Sequence, residues 1–163
     1  MEIKYCNNCG KELVLKEIGD EGLLPYCNNC CKAFPSVFNT CVIVAVINDN
    51  NIALIKQSYV TTNNWVLIAG YIKKGDSAEQ TVLQEVNEET GLSVTKMLYV
   101  KSYYYEKKSM LMLGFIAHVN KGEFNISSEV DDISWFPLTT AEQNLRKGSI
   151  AYQLCLEAKN RVL

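Results

Sequence analysis

Glu85, Glu88 and Glu89 stand at i, i+3 and i+4 in the run Gln84-Glu-Val-Asn-Glu-Glu-Thr-Gly91, so a helix here gathers three carboxylates on one side. Like charges so placed repel by about 4 kcal/mol per pair at 4 Å and an effective dielectric near 20, and by less when solvated. A bound cation reverses that sign, and a donor set made only of oxygens favours Mg²⁺ or Mn²⁺ over zinc. For an isolated Glu-x-x-Glu-Glu the ordinary alternative is a solvated acidic face. A second constellation lies near the N-terminus. Cys6-x-x-Cys9-Gly10 and Cys27-x-x-Cys30 are separated by 17 residues, which suits two tight turns presenting four thiolates to one tetrahedral Zn²⁺. Four thiolates leave no open position for water, so such a zinc is structural. Cys31 competes for the fourth place, but the symmetry of the two knuckles favours Cys30. The seven cysteines are odd in number and include two Cys-x-x-Cys pairs, a pattern that fits metal better than a disulfide framework.

These residues need elements to hold them. Ser77, with Gln80 three residues on, fits a capping box, and Ala78, Val82, Leu83 and Val86 supply one apolar face before Gly91; the pattern predicts a helix over 77–90. Upstream, the apolar β-branched run 41–47, the turn 48–51 and the run 52–55 read as a hairpin entering a buried sheet, and 65–68 as a third apolar segment. Downstream, 92–101, 109–119 and 133–136 read as strands and 140–146 and 149–162 as closing helices. Strands on both sides of a helix predict an α/β sandwich. The change in composition divides the chain into residues 1–36, with little apolar core, and residues 37–163.

A chain of 163 residues with a formal net charge of −2 and a pI near 5.5 has room for one sizeable core plus a small appendage, and lacks the basic footprint of a dedicated nucleic-acid binder. No run of 18 apolar residues and no secretion signal occur, so the expected location is the cytoplasm and no membrane partner is expected. His118, the single histidine, falls in an apolar strand and reads as structural; Trp65 and Trp135 read as core. Tyr103, Tyr104 and Tyr105 could stack a nucleobase, with Lys107 and Lys108 meeting phosphates. Strand alternation, however, sends consecutive tyrosines to opposite faces, so at least one of them packs inside.

The flanks of the glutamates carry a longer pattern: Gly70, five residues, Asp76, seven residues, Gln84-Glu85, two residues, Glu88-Glu89, one residue, Gly91 and an apolar residue. This resembles the Nudix box. The chain is most similar to the zinc-ribbon NADH pyrophosphatases, the NudC-like branch of the Nudix family. The similarity runs from the knuckles through Phe34-Pro35, Val42-Ile-Val-Ala and Ala69-Gly70-Tyr71 to Met110-Leu-Met-Leu-Gly-Phe115 and Gly148-Ser-Ile-Ala151.

The resemblance implies a Nudix-type α/β/α sandwich with a mixed sheet, preceded by a small zinc ribbon. It implies metal-dependent hydrolysis of the pyrophosphate bond in a nucleoside diphosphate joined to another group, of the NADH, NAD or ADP-ribose kind. It assigns Glu85 and Glu89 as Mg²⁺ or Mn²⁺ ligands, Glu88 as a further ligand or the water-activating base, the Gly70 carbonyl as a ligand, and Glu129 as another metal-binding glutamate, with Asp131 and Asp132 as neighbours able to substitute. Tyr71 and Ala151 take substrate-contact roles, joined by Tyr103 and Tyr105. Asp76, Gln84 and Gly91 support the box. A homodimer that completes the substrate pocket is also implied.

Three departures stand out. Asp76 replaces a glutamate. Gln84 replaces the arginine that orients the catalytic helix, exchanging a charge-assisted hydrogen bond for a neutral one, with an expected rate loss of roughly ten- to a hundredfold. The motif marking NADH specificity is replaced over residues 102–109. Two other readings compete with the enzyme: a nucleotide sensor, favoured by Gln84, and an RNA-end protein gripping through the ribbon, which the acidic balance disfavours.

Overall fold

The apolar, β-branched run that begins after residue 38 forms the central strand of a mixed sheet, and the order of the elements around it decides where the carboxylates point. The computed structural model describes residues 3–61 and 63–162 and divides into two units, Met1–Phe38 and Asn39–Leu163.

In the first unit, β1 (Val14–Glu17), β2 (Leu23–Cys27) and β3 (Lys32–Ala33) pair antiparallel in that order. The buried cluster here contains only Cys6, Cys27 and Phe34, far less apolar surface than a fold of this length needs to stand alone.

The second unit runs β4 (Asn39–Asn48), β5 (Asn51–Lys56), β6 (Ile68–Tyr71), α1 (Ala78–Thr90), β7 (Val94–Tyr105), β8 (Met110–Val119), β9 (Asp132–Pro137) and α2 (Ile150–Val162). Its sheet has the order β7-β8-β4-β5-β9, with β6 paired to the first half of β4. The β4–β8 pair is parallel and the others are antiparallel. Alternation along β4 explains the layers. Ile43, Ala45 and Ile47 join Leu154, Cys155 and Ala158 of α2 in one core cluster, whereas Val42, Val44 and Val46 join Val82 and Val86 of α1 in another. One strand thus serves two opposite faces, each covered by a helix, and the expected α/β/α sandwich with a mixed sheet is what forms.

α1 is held firmly at both ends and along its face. Ser77 accepts a hydrogen bond from the Gln80 N–H at 3.2 Å while Gln80 Oε1 accepts from the Ser77 N–H at 2.9 Å, the reciprocal capping box. Gly91 closes the helix at φ 73°, its N–H donating to the Asn87 carbonyl at 2.8 Å, and a Cβ there would lie 2.7 Å from Asn125 Cβ. Val82 and Val86 are fully buried, each contributing roughly 1.5–3 kcal/mol.

Some sequence expectations shift. Residues 140–146 form only a 3₁₀ turn, Ala141–Asn144, because Thr140 provides no side-chain cap and the chain turns extended at Leu145; so short a segment cannot sustain an α-helix. The strand expected over 92–101 continues to Tyr105, with irregularities between Val94 and Lys96 and between Tyr99 and Lys101. Of 65–68, only Ile68 lies in a strand, while Trp65 and Val66 make single bridges to Leu145 and Ile55. Among the described residues no helix is long and apolar enough to cross a membrane.

Candidate functional site

The hydrophobic face of α1 lies against the sheet, so the helix must turn its other residues along the edge of β6. Glu85, Glu88, Glu89 and Glu129 line one cavity of about 350 Å³ together with Gly70, Tyr71 and Lys73. Glu85 crosses directly over Gly70, where any Cβ would overlap its carboxylate; the glycine is therefore a requirement of close approach rather than of backbone angle. Glu89 is only 4% exposed. Its Oε1 accepts from Gln57 Nε2 at 2.9 Å, while its Oε2 is buried without a hydrogen-bond partner.

Such an oxygen is costly unless something positive meets it. Burial, reinforced by Glu85 and by the more distant charges of Glu129 and Glu88, pushes the Glu89 carboxyl up to about 7 against the opposing pull of the Gln57 hydrogen bond. Burial and then Glu88 push Glu85 up as well, with Lys73 pulling the other way. Glu129 arrives from the loop before β9, whose neighbours are otherwise engaged: Asp131 accepts from the Ser58 N–H and Asp132 pairs with Lys56 at 3.7 Å. The glutamate oxygens are not packed into one tight shell, since the cysteine set alone among the described residues has its ligand atoms mutually within 4.8 Å. An open, oxygen-lined, acid-only donor set with an unpartnered buried oxygen fits a hydrated divalent cation of the Mg²⁺ or Mn²⁺ type, which keeps several waters and shares substrate oxygens.

A second cavity of about 600 Å³ adjoins the first, both sharing Tyr59, Ala69, Gly70 and Tyr71. Tyr104, Tyr105 and Ala151 line it, and Tyr103 does not. Tyr103 was expected to meet substrate, but it is 8% exposed within the core cluster on the α2 side, and its hydroxyl is buried without a partner. Alternation puts Tyr103 and Tyr105 on the same face of β7, opposite Met112 and Met110; Tyr103 is covered by the core cluster there, whereas Tyr105, at the end of the strand, and the exposed Tyr104 reach the cavity lining. Gln84 is exposed and its side chain makes no hydrogen bond among the described residues. Asp76 sits in the turn before α1, its N–H donating to the Lys73 carbonyl at 3.1 Å, and lines neither cavity. Sequence reasoning missed Gln57 and Tyr59. Neither belongs to a motif, and the only signal was a polar residue at the end of the apolar run of β5.

In the other unit, the sulfurs of Cys6, Cys9, Cys27 and Cys30 lie within 4.8 Å of one another, with Cys9–Cys27 at 3.5 Å and Cys6–Cys30 at 3.9 Å. Tetrahedral zinc with bonds near 2.3 Å sets sulfurs about 3.8 Å apart, so the set fits that ion. The Lys11 backbone, followed by the Cys30 side chain, holds the Cys9 thiol down at about 6. For Cys27 the Cys30 backbone pulls down, but burial and the neighbouring sulfurs of Cys9 and Cys6 outweigh it and lift the thiol to about 11. Cys31 is outside the set for a geometric reason. Like Gly10 after the first knuckle it takes the left-handed conformation, φ 52° against 70°, and its exposed Sγ turns to the Asn28 carbonyl at 3.6 Å.

An acid-lined cavity beside a helix with this box, on an α/β/α sandwich, defines a class, and residues 37–154 match the NUDIX domain family. The chain belongs to that family. Among its relatives are proteins named NAD-capped RNA hydrolase NudC: that of Vibrio atlanticus is 33% identical over 159 residues, covering 93% of this chain and 56% of the relative, and that of Vibrio cholerae is 32% identical over 155 residues, covering 93% and 56%. The chain thus spans a little over half the length of these curated relatives. Among solved structures, a NUDIX hydrolase from Nitrosomonas europaea superposes with a TM-score of 0.72 at 17% identity, over 97% of this chain and 91% of that one. The NUDIX domain of Shewanella oneidensis NrtR, complexed with ADP ribose, superposes with a TM-score of 0.63 at 20% identity, over 85% and 94%.

Proposed function

We propose that this protein hydrolyses the pyrophosphate bond of a nucleoside diphosphate joined to a second group, of the NAD or ADP-ribose kind. The observation that carries this reading is Glu89: a buried carboxylate with one oxygen fixed by Gln57 and the other unpartnered, in a cavity shared with Glu85, Glu88 and Glu129. The relatives named as NAD-capped RNA hydrolases support the substrate class.

Glu85, Glu89 and Glu129, with the Gly70 carbonyl, would hold Mg²⁺ or Mn²⁺, and Glu88 would serve as a further ligand or the base that takes the proton from water. When bound, such ions supply charge neutralisation at phosphoryl oxygens and a more acidic water. Gln57 holds one oxygen of the Glu89 carboxylate and leaves the other for the cation. Glu88 is exposed, which leaves it able to exchange a proton with solvent between turnovers. Tyr71, Tyr104, Tyr105 and Ala151 shape the adjoining cavity, where the tyrosine rings offer a stacking surface for a nucleobase. Zn²⁺ on Cys6, Cys9, Cys27 and Cys30 supplies the folding energy that the small apolar cluster of the first unit lacks. Cytoplasmic location and a homodimer belong to the same proposal.

The exposed Gln84, whose side chain is unbonded, favours a second reading, a nucleotide sensor with feeble turnover. Release of phosphate esters from NADH, NAD, ADP-ribose, diadenosine polyphosphates and nucleoside triphosphates, with Mg²⁺ or Mn²⁺, separates the two. The expected result is a nucleoside monophosphate as one product and loss of turnover in Glu89→Gln. Measurable binding with no turnover of any compound leaves the sensor.

A further inference from the structure

β6 ends at Tyr71, and residues 72–76 carry the chain from the sheet to the cap of α1. Ile72 anchors the start of that connection. Its N–H donates to the Thr40 carbonyl at 3.0 Å, and its side chain packs against the core cluster that contains Val82 and Val86. Lys73 and Asp76 then close a turn, the Asp76 N–H donating to the Lys73 carbonyl at 3.1 Å, with Gly75 at φ 100° and Ser77 capping the helix. The backbone of Lys73 is thus tied to fixed elements on both sides. Its side chain lines the glutamate cavity, the one cation among the described residues there, beside Glu85, Glu88, Glu89 and Glu129.

An ammonium among carboxylates ordinarily closes an ion pair with one of them. Lys73 does not, since the ion pairs among the described residues are Lys56–Asp132, Lys101–Glu157, Lys159–Glu142 and Arg161–Glu157. It is nevertheless close enough to be felt: burial and then Glu88 raise the Glu85 carboxyl, and Lys73 is the group that opposes them. The side chain is exposed, and a lysine so placed brings a compact charge with three rotatable donors, suited to a phosphate oxygen. Lys74 provides the contrast within the same turn. It is exposed as well, but it lines neither cavity.

The two cavities meet at Tyr59, Ala69, Gly70 and Tyr71, and Lys73 lines only the glutamate one. A nucleoside stacked on the tyrosines of the larger cavity sends its phosphates across this junction, the first of them near the shared residues and the second beyond. We propose that Lys73 Nζ donates to a non-bridging oxygen of the phosphate farther from the nucleoside, and that this lysine thereby selects diphosphates over monophosphates. This rests on the function proposed above and adds a specificity-determining residue to it. The contact exists in the intact diphosphate and is lost to the nucleoside monophosphate product, which carries only the nearer phosphate.

Binding without turnover tests this. Affinities of AMP and of α,β-methylene-ADP, whose bridging carbon resists hydrolysis, are compared by calorimetry in Mg²⁺ for the full chain and for Lys73→Ala, Lys73→Arg and Lys74→Ala, with melting curves verifying that each variant folds. The expected result is that the methylene analogue binds more tightly than AMP, and that this preference falls by about tenfold or more in Lys73→Ala, returns in large part in Lys73→Arg and is unchanged in Lys74→Ala. An equal fall in Lys73→Ala and Lys74→Ala would mark the general field of a basic turn and overturns the proposal. So does the absence of any preference, or of any binding, in the full chain. A Lys73→Ala protein that binds Mn²⁺ more tightly while keeping the whole preference also overturns it, since that lysine would only balance the glutamates. A preference that depends on Lys73, in a protein that turns over no dinucleotide, upholds the proposal and removes only the hydrolase reading.

Discussion

Gln57 Nε2 donates to Glu89 Oε1 at 2.9 Å, across 32 residues of chain, and so holds one carboxylate oxygen while the other stays unpartnered. A hydrogen bond to a charged group contributes about 1.5–3 kcal/mol. Gln57→Ala should therefore lower kcat/KM by roughly ten- to a hundredfold and weaken Mn²⁺ binding, measured by steady-state kinetics and metal titration. An unchanged metal affinity would show that Glu89 is oriented by other means.

The zinc-loaded protein without Mg²⁺ or Mn²⁺ should lose stability as pH rises from about 4.5 to about 7. Glu89 binds its proton more tightly in the folded chain, its carboxyl pushed up to about 7 from an ordinary value of 4.5. The folded state therefore holds more protons than the unfolded state in that window, and linkage makes stability fall there and level off above it. The loss is of the order of 2–4 kcal/mol. Glu89→Gln should flatten that slope, raise the Tm in the absence of Mg²⁺ at pH 8 by about 5 °C and abolish the further rise given by Mg²⁺. A wild-type melting profile that is flat between pH 4.5 and 7, taken on zinc-loaded protein in buffer without Mg²⁺ or Mn²⁺, would contradict this.

Gly70→Ala places a methyl where the Glu85 carboxylate now lies. The helix is anchored by Val82 and Val86, so Glu85 is the group that yields. Turnover should drop by about a hundredfold, as displacement of a reacting group by an ångström commonly costs, with little change in the circular dichroism spectrum.

Cys30→Ser should abolish zinc binding whereas Cys31→Ser should leave it intact, read by metal content of the purified protein. The left-handed backbone at Cys31 and its turn toward the Asn28 carbonyl take its sulfur away from the other four. Chelation should unfold the first unit, since three buried residues are all its cluster contains.

Tyr103→Phe removes a buried hydroxyl that has no partner and should stabilise the protein by about 1 kcal/mol with KM unchanged. Tyr104→Ala, at a residue that lines the cavity, should instead raise KM for the nucleotide. A large KM change in Tyr103→Phe would return that residue to the site.

The box helix was the most legible element, because cap, apolar face and terminating glycine all lie within residues 77–91 and need no distant partner to act. Legible too were the two knuckles, whose spacing is local. The divergence came where tertiary context decides. Tyr103 and Tyr105 share one face of an edge strand, and only the packing of the core cluster over Tyr103 separates its fate from that of Tyr105 at the strand's end. Gln57 and Tyr59 reach the glutamates only because β5 lies beside β4. Arg146 and Lys147 come to line the same cavity as Lys107 and Lys108 only once the tertiary fold has formed, so no short window of sequence contains all four.

The parallel pairing of β4 with β8, Asn39 opposite Met110, has a consequence for the order in which the chain is made. The helix carrying the glutamates leaves the ribosome before the strand that completes the face it packs on, and β5 waits longer still, for Pro137 opposite Asn51. Long-range pairing of this kind slows folding and leaves apolar surface uncovered while synthesis proceeds. The cysteine unit has only short-range pairings, so with its metal it can close while the second unit is still an open hairpin. During that interval Val82 and Val86 are exposed, and a nascent chain halted before residue 110 should be a chaperone client even though it already contains the whole box.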